Sequence, residues 1–572
     1  MVKNVGLLIV LLILSNAVFA QSKIVGVKGK INPYQYSIVK FQNFQKASVS
    51  SAHPLASMVG SVIMQQGGNA FDAAIATQLA LAVVYPNAGN IGGGGFLVGR
   101  TNTGKNISID YRETAPSKAS RDMYLNDKSE AQLQLSQNGH LACGVPGTIA
   151  GLFATLKYAK LPMSKLIQPA IDLAEFGFVI TEREASGLNN ASTAFEKYNT
   201  QLPVFVKNVK WKAGDTLIQK DLAETLKRIR DFGQKGFYEG KTAALIVDEM
   251  KRGNGIISLN DLKNYTAKTR EALTFSYKNY TIIGMPPPSS GGIIVAQMMK
   301  MIESKPIAAY GFQTTKSVQL MVEVERRAYA DRAKHLGDPD FWKVPLKKMI
   351  QKNYLLKRMA DYDSTKATPS KMIEAGIISE SDETTHLSVM DQFGNLVSVT
   401  TTLNGGYGSK TVVGGAGFIL NNEMDDFSIK PGVANMYGAI GGEANAIQPN
   451  KRMLSSMTPT IVLKNNKPYL VVGTPGGTTI PTSVFQTLVN FLEFNLNATD
   501  AVNFPKFHHQ WLPDEVYTEP GFESKVAEEL SKMGYSIKPR SAIGRTEVIR
   551  KLSNGLLETV ADKRGDDSVA GF

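Results

Sequence analysis

Cys143 is the only cysteine in 572 residues, so no intrachain disulfide can staple the fold. It sits beside an apolar helical stretch and reads as a core thiol, not a nucleophile. Its distance from Gln21 also excludes a lipid anchor on the first residue of a processed chain. Histidine is scarce: there are six, scattered apart from His508-His509, with no His-Glu-x-x-His pair, so no metal centre is expected. A Gly-x-Ser-x-Gly elbow is absent. A dinucleotide fingerprint starting at Gly93 fails at Val98, and a phosphate loop ending in Gly240-Lys241-Thr242 fails at Lys235. The net charge is +13, but basic residues are interspersed with acids and form no long tract, so no nucleic-acid partner is expected. No apolar run approaches the roughly 20 residues of a bilayer span, so no stable membrane anchor is expected.

Hydrophobic residues make up 43% and charged residues 20%, ordinary values for a globular chain of one large or two ordinary domains. The N-terminus carries Lys3, an apolar run from Val5 to Leu14, and Val18-Phe19-Ala20 at the spacing of a signal-peptidase site. Residues 1–20 are therefore expected to be a signal peptide. The mature protein is expected to be exported, to the periplasm or beyond.

Helical spacing of apolar residues appears at 53–82, 144–181, 215–252, 293–303 and 316–335. The four glycines Gly92 to Gly95 suggest close backbone packing or a turn. Residues 361–383 are polar and read as a linker. Beyond Thr384, strands at 385–390 and 396–402 flank the turn Asp391–Asn395, and 459–464 pairs with 468–474 through Asn465-Asn466-Lys467. Helices at 481–495 and near 523–533 follow, then strands near 545–550 and 555–560. A helix-rich first two-thirds thus precedes a strand-rich last third.

The junction at Glu383-Thr384-Thr385-His386 combines hydroxyls and an imidazole, with Thr400-Thr401-Thr402-Leu403-Asn404 downstream. A turn centred on Phe393 sets Thr384 directly opposite Thr402, with β-carbons about 4.5–5.5 Å apart. A structural threonine pair fits that spacing as well as a catalytic one does. His386 shares a face with Thr384 but lies about 6.6–6.8 Å along the strand.

The chain resembles the γ-glutamyltranspeptidases, members of the N-terminal-nucleophile hydrolase superfamily, along almost its whole mature length. The resemblance is carried by Gly67-Gly68-Asn69-Ala70, Asn90–Phe96, Asp110-Tyr111-Arg112-Glu113, the turn 286–292 and Glu325–Arg332. Thr384-Thr385-His386, Asn421–Ser428, Leu454-Ser455-Ser456-Met457 and Thr474-Pro475-Gly476-Gly477 complete it, in the family's order.

The resemblance implies an α+β fold, a four-layer αββα sandwich built by two self-cleaved pieces. These are a large subunit, 21–383, and a small one, 384–572, opening on the nucleophile Thr384. Cleavage would give Thr384 a free α-amine, with a reference pKa near 8, as its own base. Thr402 would position the nucleophile, and the backbone N–H groups of Gly476 and Gly477 would form the oxyanion hole. Arg112, helped by Ser455 and Ser456, would hold a substrate α-carboxylate, and Asn404, Glu423 and Asp426 would accept from its α-ammonium. The loop 431–438, with Tyr437 as its aromatic cover, would close over the site. The implied partners are glutathione and other γ-glutamyl donors, with water, amino acids or dipeptides as acceptors and no cofactor. A poly-γ-glutamate depolymerase or a cephalosporin-type acylase would fit the same fold. A non-catalytic binding protein is disfavoured because Thr384 is present.

Overall fold

A computed structural model of the chain describes residues 31–373, 383–430 and 442–572. The signal sequence, its cleavage point, the loop bearing Tyr437 and the last stretch of the linker lie outside the described residues.

Two seven-stranded sheets dominate. The strands, in chain order, are β1 (Phe41–Phe44), β2 (Ser48–Ser51), β3 (Gly94–Arg100), β4 (Asn106–Asp110), β5 (Lys268–Thr269), β6 (Leu273–Tyr277) and β7 (Tyr280–Gly284). They continue as β8 (Glu383–Met390), β9 (Leu396–Asn404), β10 (Thr460–Lys464), β11 (Lys467–Gly473), β12 (Glu547–Lys551), β13 (Leu557–Val560) and β14 (Ser568–Gly571). One sheet runs β14-β2-β8-β9-β3-β4-β5, the other β1-β13-β12-β11-β10-β7-β6. All pairings within both sheets are antiparallel.

Helices α1 (Pro54–Gln65) and α2 (Ala70–Val84) cover the first sheet, against Leu387, Val389, Val397 and Val399, and α3 (Met163–Phe176) and α4 (Lys220–Phe232) pack behind α2. Helices α5 (Gly291–Ile302), α6 (Thr315–His335) and α7 (Thr479–Leu492) cover the second, against Val462, Leu470 and Val472. A third apolar layer joins the sheets, with Phe96, Val98 and Leu396 meeting Ile283, Ile461, Val471 and Ile549. These layers are the expected αββα order, and central strands such as β9 and β10 are buried on two faces.

Local chemistry explains the ends of these elements. Asn69 and Asp72 form a reciprocal capping box at the start of α2. Asn465 and Asn466 both adopt positive φ, the backbone a two-residue hairpin between β10 and β11 requires. The glycine run 92–95 serves close approach, since a Cβ on Gly92 or Gly93 would strike the carbonyl of Ile419 or Thr402 at 2.1 Å. Cys143 is buried core, and burial pushes its thiol up to about 12.

Among the described residues the front is helix-rich and the back strand-rich, yet the front also supplies half of the sandwich. Seven of the fourteen sandwich strands lie before residue 285, so both sheets mix strands from the two ends of the chain. The early strands are short, two to seven residues, and β3 and β4 are buried on both faces, which erases the alternation that marks a half-exposed strand.

Candidate active site

Thr384 lies near the start of β8, a central strand of its sheet. The expected register holds from Met390↔Leu396 through Thr385↔Thr401, then slips, so that Glu383 pairs with Asn404. The extra residue is on β9, where Thr402 and Leu403 together oppose Thr384, a departure from the simple hairpin count. A bulge re-aims a side chain. Here Thr384 and Thr402 nonetheless line one small cavity, together with Arg112, Asn404, Glu423, Asp426, Ser455, Met457, Gly477 and Ile480. The strand is continuous across residues 383–384. In this form Thr384 has no free α-amine.

His386 faces the space between the sheets. Its Nδ1 is 2.9 Å from Thr400 Oγ1, its Nε2 is 3.1 Å from Ser388 Oγ, and its ring packs where a Gly473 side chain would be. Burial lowers its pKa to about 3. Both nitrogens are engaged away from Thr384, so the imidazole is structural.

Arg112 follows β4, where the Asp110 side chain accepts its backbone N–H at 3.0 Å and Tyr265 donates to its carbonyl at 2.7 Å. The guanidinium is 1% exposed. It pairs with Glu423 at 2.5 Å and with Asp426, and donates to the carbonyls of Met453 and Leu454 at 3.4 and 3.2 Å. The expected cation and the two expected anions of the site therefore neutralise one another. The cavity they leave is about 10 Å³. Asn404, at positive φ, donates its side-chain amide to the Asn422 carbonyl at 3.0 Å, while its own N–H is held by Thr402 Oγ1 at 2.8 Å.

The Ser455-Ser456 loop is fixed from behind by the 286–292 turn. Ser290 donates to the Ser455 carbonyl through its N–H at 2.6 Å and its hydroxyl at 2.8 Å, and Ser455 N donates to Pro288 O at 2.9 Å. Ser455 lines the cavity. The Ser456 hydroxyl accepts from Arg332 of α6 at 3.1 Å, and Ser456 is not part of that lining.

Gly476 and Gly477 follow β11 and lead into α7. Both have positive φ, 133° and 56°, a backbone that glycine adopts without strain. Their carbonyls accept from Thr479 and Ile480 at 3.0 Å. Neither N–H has an acceptor among the described residues. Two such amides at the N-terminus of a fourteen-residue helix suit a developing oxyanion. Gly477 lines the small cavity. Gly476 lines a second one, of about 410 Å³, and Thr384 is the residue common to both.

Sequence reasoning quoted some supporting residues without giving them roles. Glu113 is fully buried, its carboxylate 3.6 Å from Arg112 Nη1, and burial raises its pKa to about 8. Asp425, beside Asp426, is raised to about 7 by burial and accepts from Ser136 at 2.5 Å. Asn445 donates to the Asp426 carbonyl at 2.6 Å and accepts from Leu454 N at 2.9 Å, tying those two cavity loops together. Glu113, Asp425 and Arg332 all fall inside the motifs quoted above.

The gamma-glutamyltranspeptidase family model matches residues 56–572. The glutathione hydrolase proenzyme of Escherichia coli is 44% identical over 534 residues, covering 92% of each chain. A crystal structure of Helicobacter pylori gamma-glutamyltranspeptidase is 42% identical with a TM-score of 0.56, covering 60% of this chain and 96% of that one. A cephalosporin acylase from Bacillus halodurans superimposes with a TM-score of 0.81 over 94% of this chain and 98% of that one, and its 24% identity supports the fold alone.

Proposed function

The chain belongs to the gamma-glutamyltranspeptidase family, and from that premise we propose the role of each residue at its site. It is a self-processing γ-glutamyltransferase and glutathione hydrolase, acting on glutathione and related γ-glutamyl compounds. The observation that carries the residue assignment is the convergence of Thr384, Thr402, Arg112, Asn404, Glu423, Asp426 and Ser455 on one buried cavity at a strand bulge.

Self-cleavage before Thr384 would separate 21–383 from 384–572 and release an α-amine on the nucleophile itself. A threonine hydroxyl is a weak nucleophile near neutral pH, and an amine with a reference pKa near 8 can take its proton. Thr384 Oγ1 then attacks the γ-carbonyl carbon of the donor. The carbonyl oxygen gains charge opposite the Gly476 and Gly477 amides, each such donor being worth about 2.7–4 kcal/mol in the transition state. The amide C–N bond breaks, the nitrogen leaves with the proton, and an ester remains on Thr384. Water or an amine attacks that ester, and its proton returns through the same α-amine to Thr384 Oγ1.

The α-carboxylate and α-ammonium of the γ-glutamyl group replace the internal ion pairs with like ones. The carboxylate takes Arg112 from Glu423 and Asp426, and the ammonium takes the freed carboxylates, with Asn404 and Ser455 completing the shell. Exchange of pairs avoids leaving a buried charge alone, which would be far costlier than a neutral mismatch. Tyr437 is assigned as the cover of this site, Ser456 as a support for Ser455 through Arg332, and residues 1–20 as an export signal. No helix among the described residues is long and apolar enough to cross a membrane.

The test is incubation of the processed protein with glutathione, following glutamate and cysteinylglycine with and without an added peptide acceptor. Cysteinylglycine release without any γ-glutamyl transfer or glutamate release would overturn the ester mechanism.

A further inference from the structure

Helix α6 carries two side chains, Tyr329 and Arg332, that reach the loops of the site. They stand three positions apart and so share a face of the helix. Arg332 donates to Ser290 Oγ at 2.7 Å and to Ser456 Oγ at 3.1 Å, bracing the loop of Ser455. Tyr329 is 3% exposed, and its hydroxyl donates to the carbonyl of Thr478, the residue after Gly477. Its ring meets the His508 ring edge-on, with centroids 5.8 Å apart.

The Thr478 carbonyl is linked to the Gly477 amide through two peptide planes. A peptide unit is flat and rigid, so fixing its C=O fixes the N–H at its other end. The unit that begins with the Thr478 carbonyl ends with the Thr479 N–H, which donates to the Gly476 carbonyl at 3.0 Å. Thr479 Oγ1 adds a second donor to that carbonyl at 2.6 Å. The Gly476 carbonyl in turn shares its plane with the Gly477 N–H. Donation therefore runs from the Tyr329 hydroxyl through the Thr478–Thr479 unit to the Gly476–Gly477 unit. Hydrogen bonds in such a chain polarise one another, so the first donor strengthens the last N–H. Glycine at both positions leaves these planes free to turn, and an anchor outside the loop limits that freedom. The Thr478 side chain is held separately, donating to Gln510 Oε1 at 2.7 Å.

We propose that Tyr329 is a positioning residue for the oxyanion hole, setting the angle and polarity of the Gly477 N–H through two peptide units. The proposal rests on the γ-glutamyl-transfer reading, in which Thr384 builds a tetrahedral centre opposite that amide. It gives two neighbours on one helix different kinetic signatures. Arg332 acts on a loop that holds the acyl group in ground and transition state alike. Tyr329 acts where charge develops only in the transition state. Loss of its hydroxyl should lower kcat and kcat/KM together and leave KM near the parent's value.

The experiment compares the processed parent and Tyr329→Phe proteins in hydrolysis of γ-glutamyl-p-nitroanilide and in binding of two inhibitors. One inhibitor is glutamate, a ground-state ligand. The other is its analogue with a boronic acid in place of the γ-carboxyl group. Boron takes the Thr384 hydroxyl oxygen and becomes tetrahedral and anionic, as the reacting carbon does. Tyr329→Phe should lose about 10- to 100-fold in kcat, less than the roughly 10²–10³ that outright removal of an oxyanion donor costs. Boronate affinity should fall in parallel, and glutamate affinity should hold. A merely structural role would weaken both inhibitors together or lower only Tm. Either pattern, or an unchanged kcat and boronate affinity, overturns the proposal. Introducing 3-fluorotyrosine at position 329 keeps the ring and makes its hydroxyl a stronger donor. That protein should bind the boronate more tightly than the parent, and equal binding overturns the proposal whether or not the phenylalanine variant folds. A parent protein that releases no p-nitroaniline and binds neither inhibitor would instead refute the γ-glutamyl reading beneath it.

Discussion

Replacing Arg112 by lysine keeps the positive charge and removes the fork. In the structure the guanidinium serves two carboxylates and two backbone carbonyls at once, with 1% of its surface exposed. A lysine ammonium is a single point donor and cannot span Glu423 and Asp426 in the same plane. At least one charge-assisted bond to the substrate carboxylate is lost or bent, worth about 1.5–3 kcal/mol, which is about 10- to 150-fold in kcat/KM. The loss should fall on γ-glutamyl-p-nitroanilide turnover and leave self-cleavage largely intact, since cleavage acts on the chain's own peptide and uses no α-carboxylate. The assay is steady-state kinetics beside a denaturing gel of the same preparation. A fully processed Arg112→Lys protein with an unchanged kcat/KM would refute Arg112 as the carboxylate clamp.

The Thr384→Ala protein should stay a single band on a denaturing gel, because the hydroxyl that attacks the preceding carbonyl is gone, and complete cleavage would remove Thr384 from its role. The acylation rate should rise with pH as the Thr384 α-amine loses its proton and then level off. His386 stays neutral above about 3 and its nitrogens face Thr400 and Ser388, so a processed His386→Asn protein should keep that rising limb, and its disappearance would make His386 the base. Glu113 has a folded-state pKa raised to about 8 from an ordinary value near 4.5, so folding binds its proton, and the stability linked to it is full below about 4.5 and lost as pH climbs through 8. Glu113→Gln cannot ionise, so its Tm should fall less than the parent's between pH 5 and 9; parallel Tm curves would show that Glu113 does not titrate in that window.

Local signals made much of the fold legible and left its assembly dark. The helices at 53–82 and 316–335 announced themselves through apolar spacing, and the 391–395 and 465–467 turns through asparagine, aspartate and glycine. These depend on residues within a few positions of one another. The layer order did not, because β2 pairs with β8 and β14, partners more than 300 and 500 residues away. Site residues were legible mainly as motifs, since Arg112, Glu423 and Ser455 come from three distant loops that no periodicity connects. The bulge at Thr384 was invisible for a different reason. A hairpin count assumes a uniform ladder, and the slip between Glu383 and Thr385 arises where β8 begins, beyond the stretch that β2 also holds in register.

That position has a consequence for the order of events. β8 is locked against β2 from Leu387 to Met390 and against β9 throughout, whereas Thr384 has only the irregular end of one neighbour. Under the proposed mechanism, self-cleavage before Thr384 would remove Glu383 from the ladder without touching the buried run Leu387–Met390. Thr384 would then gain a free amine while staying between the Arg112 cavity and the 410 Å³ one. The two cavities differ in kind. The first, of about 10 Å³, is closed by complementary charges, which under the proposed mechanism a zwitterionic γ-glutamyl group would exchange for its own. The second, of about 410 Å³, is already open. A site with that asymmetry would hold the γ-glutamyl group tightly whatever amine carries it.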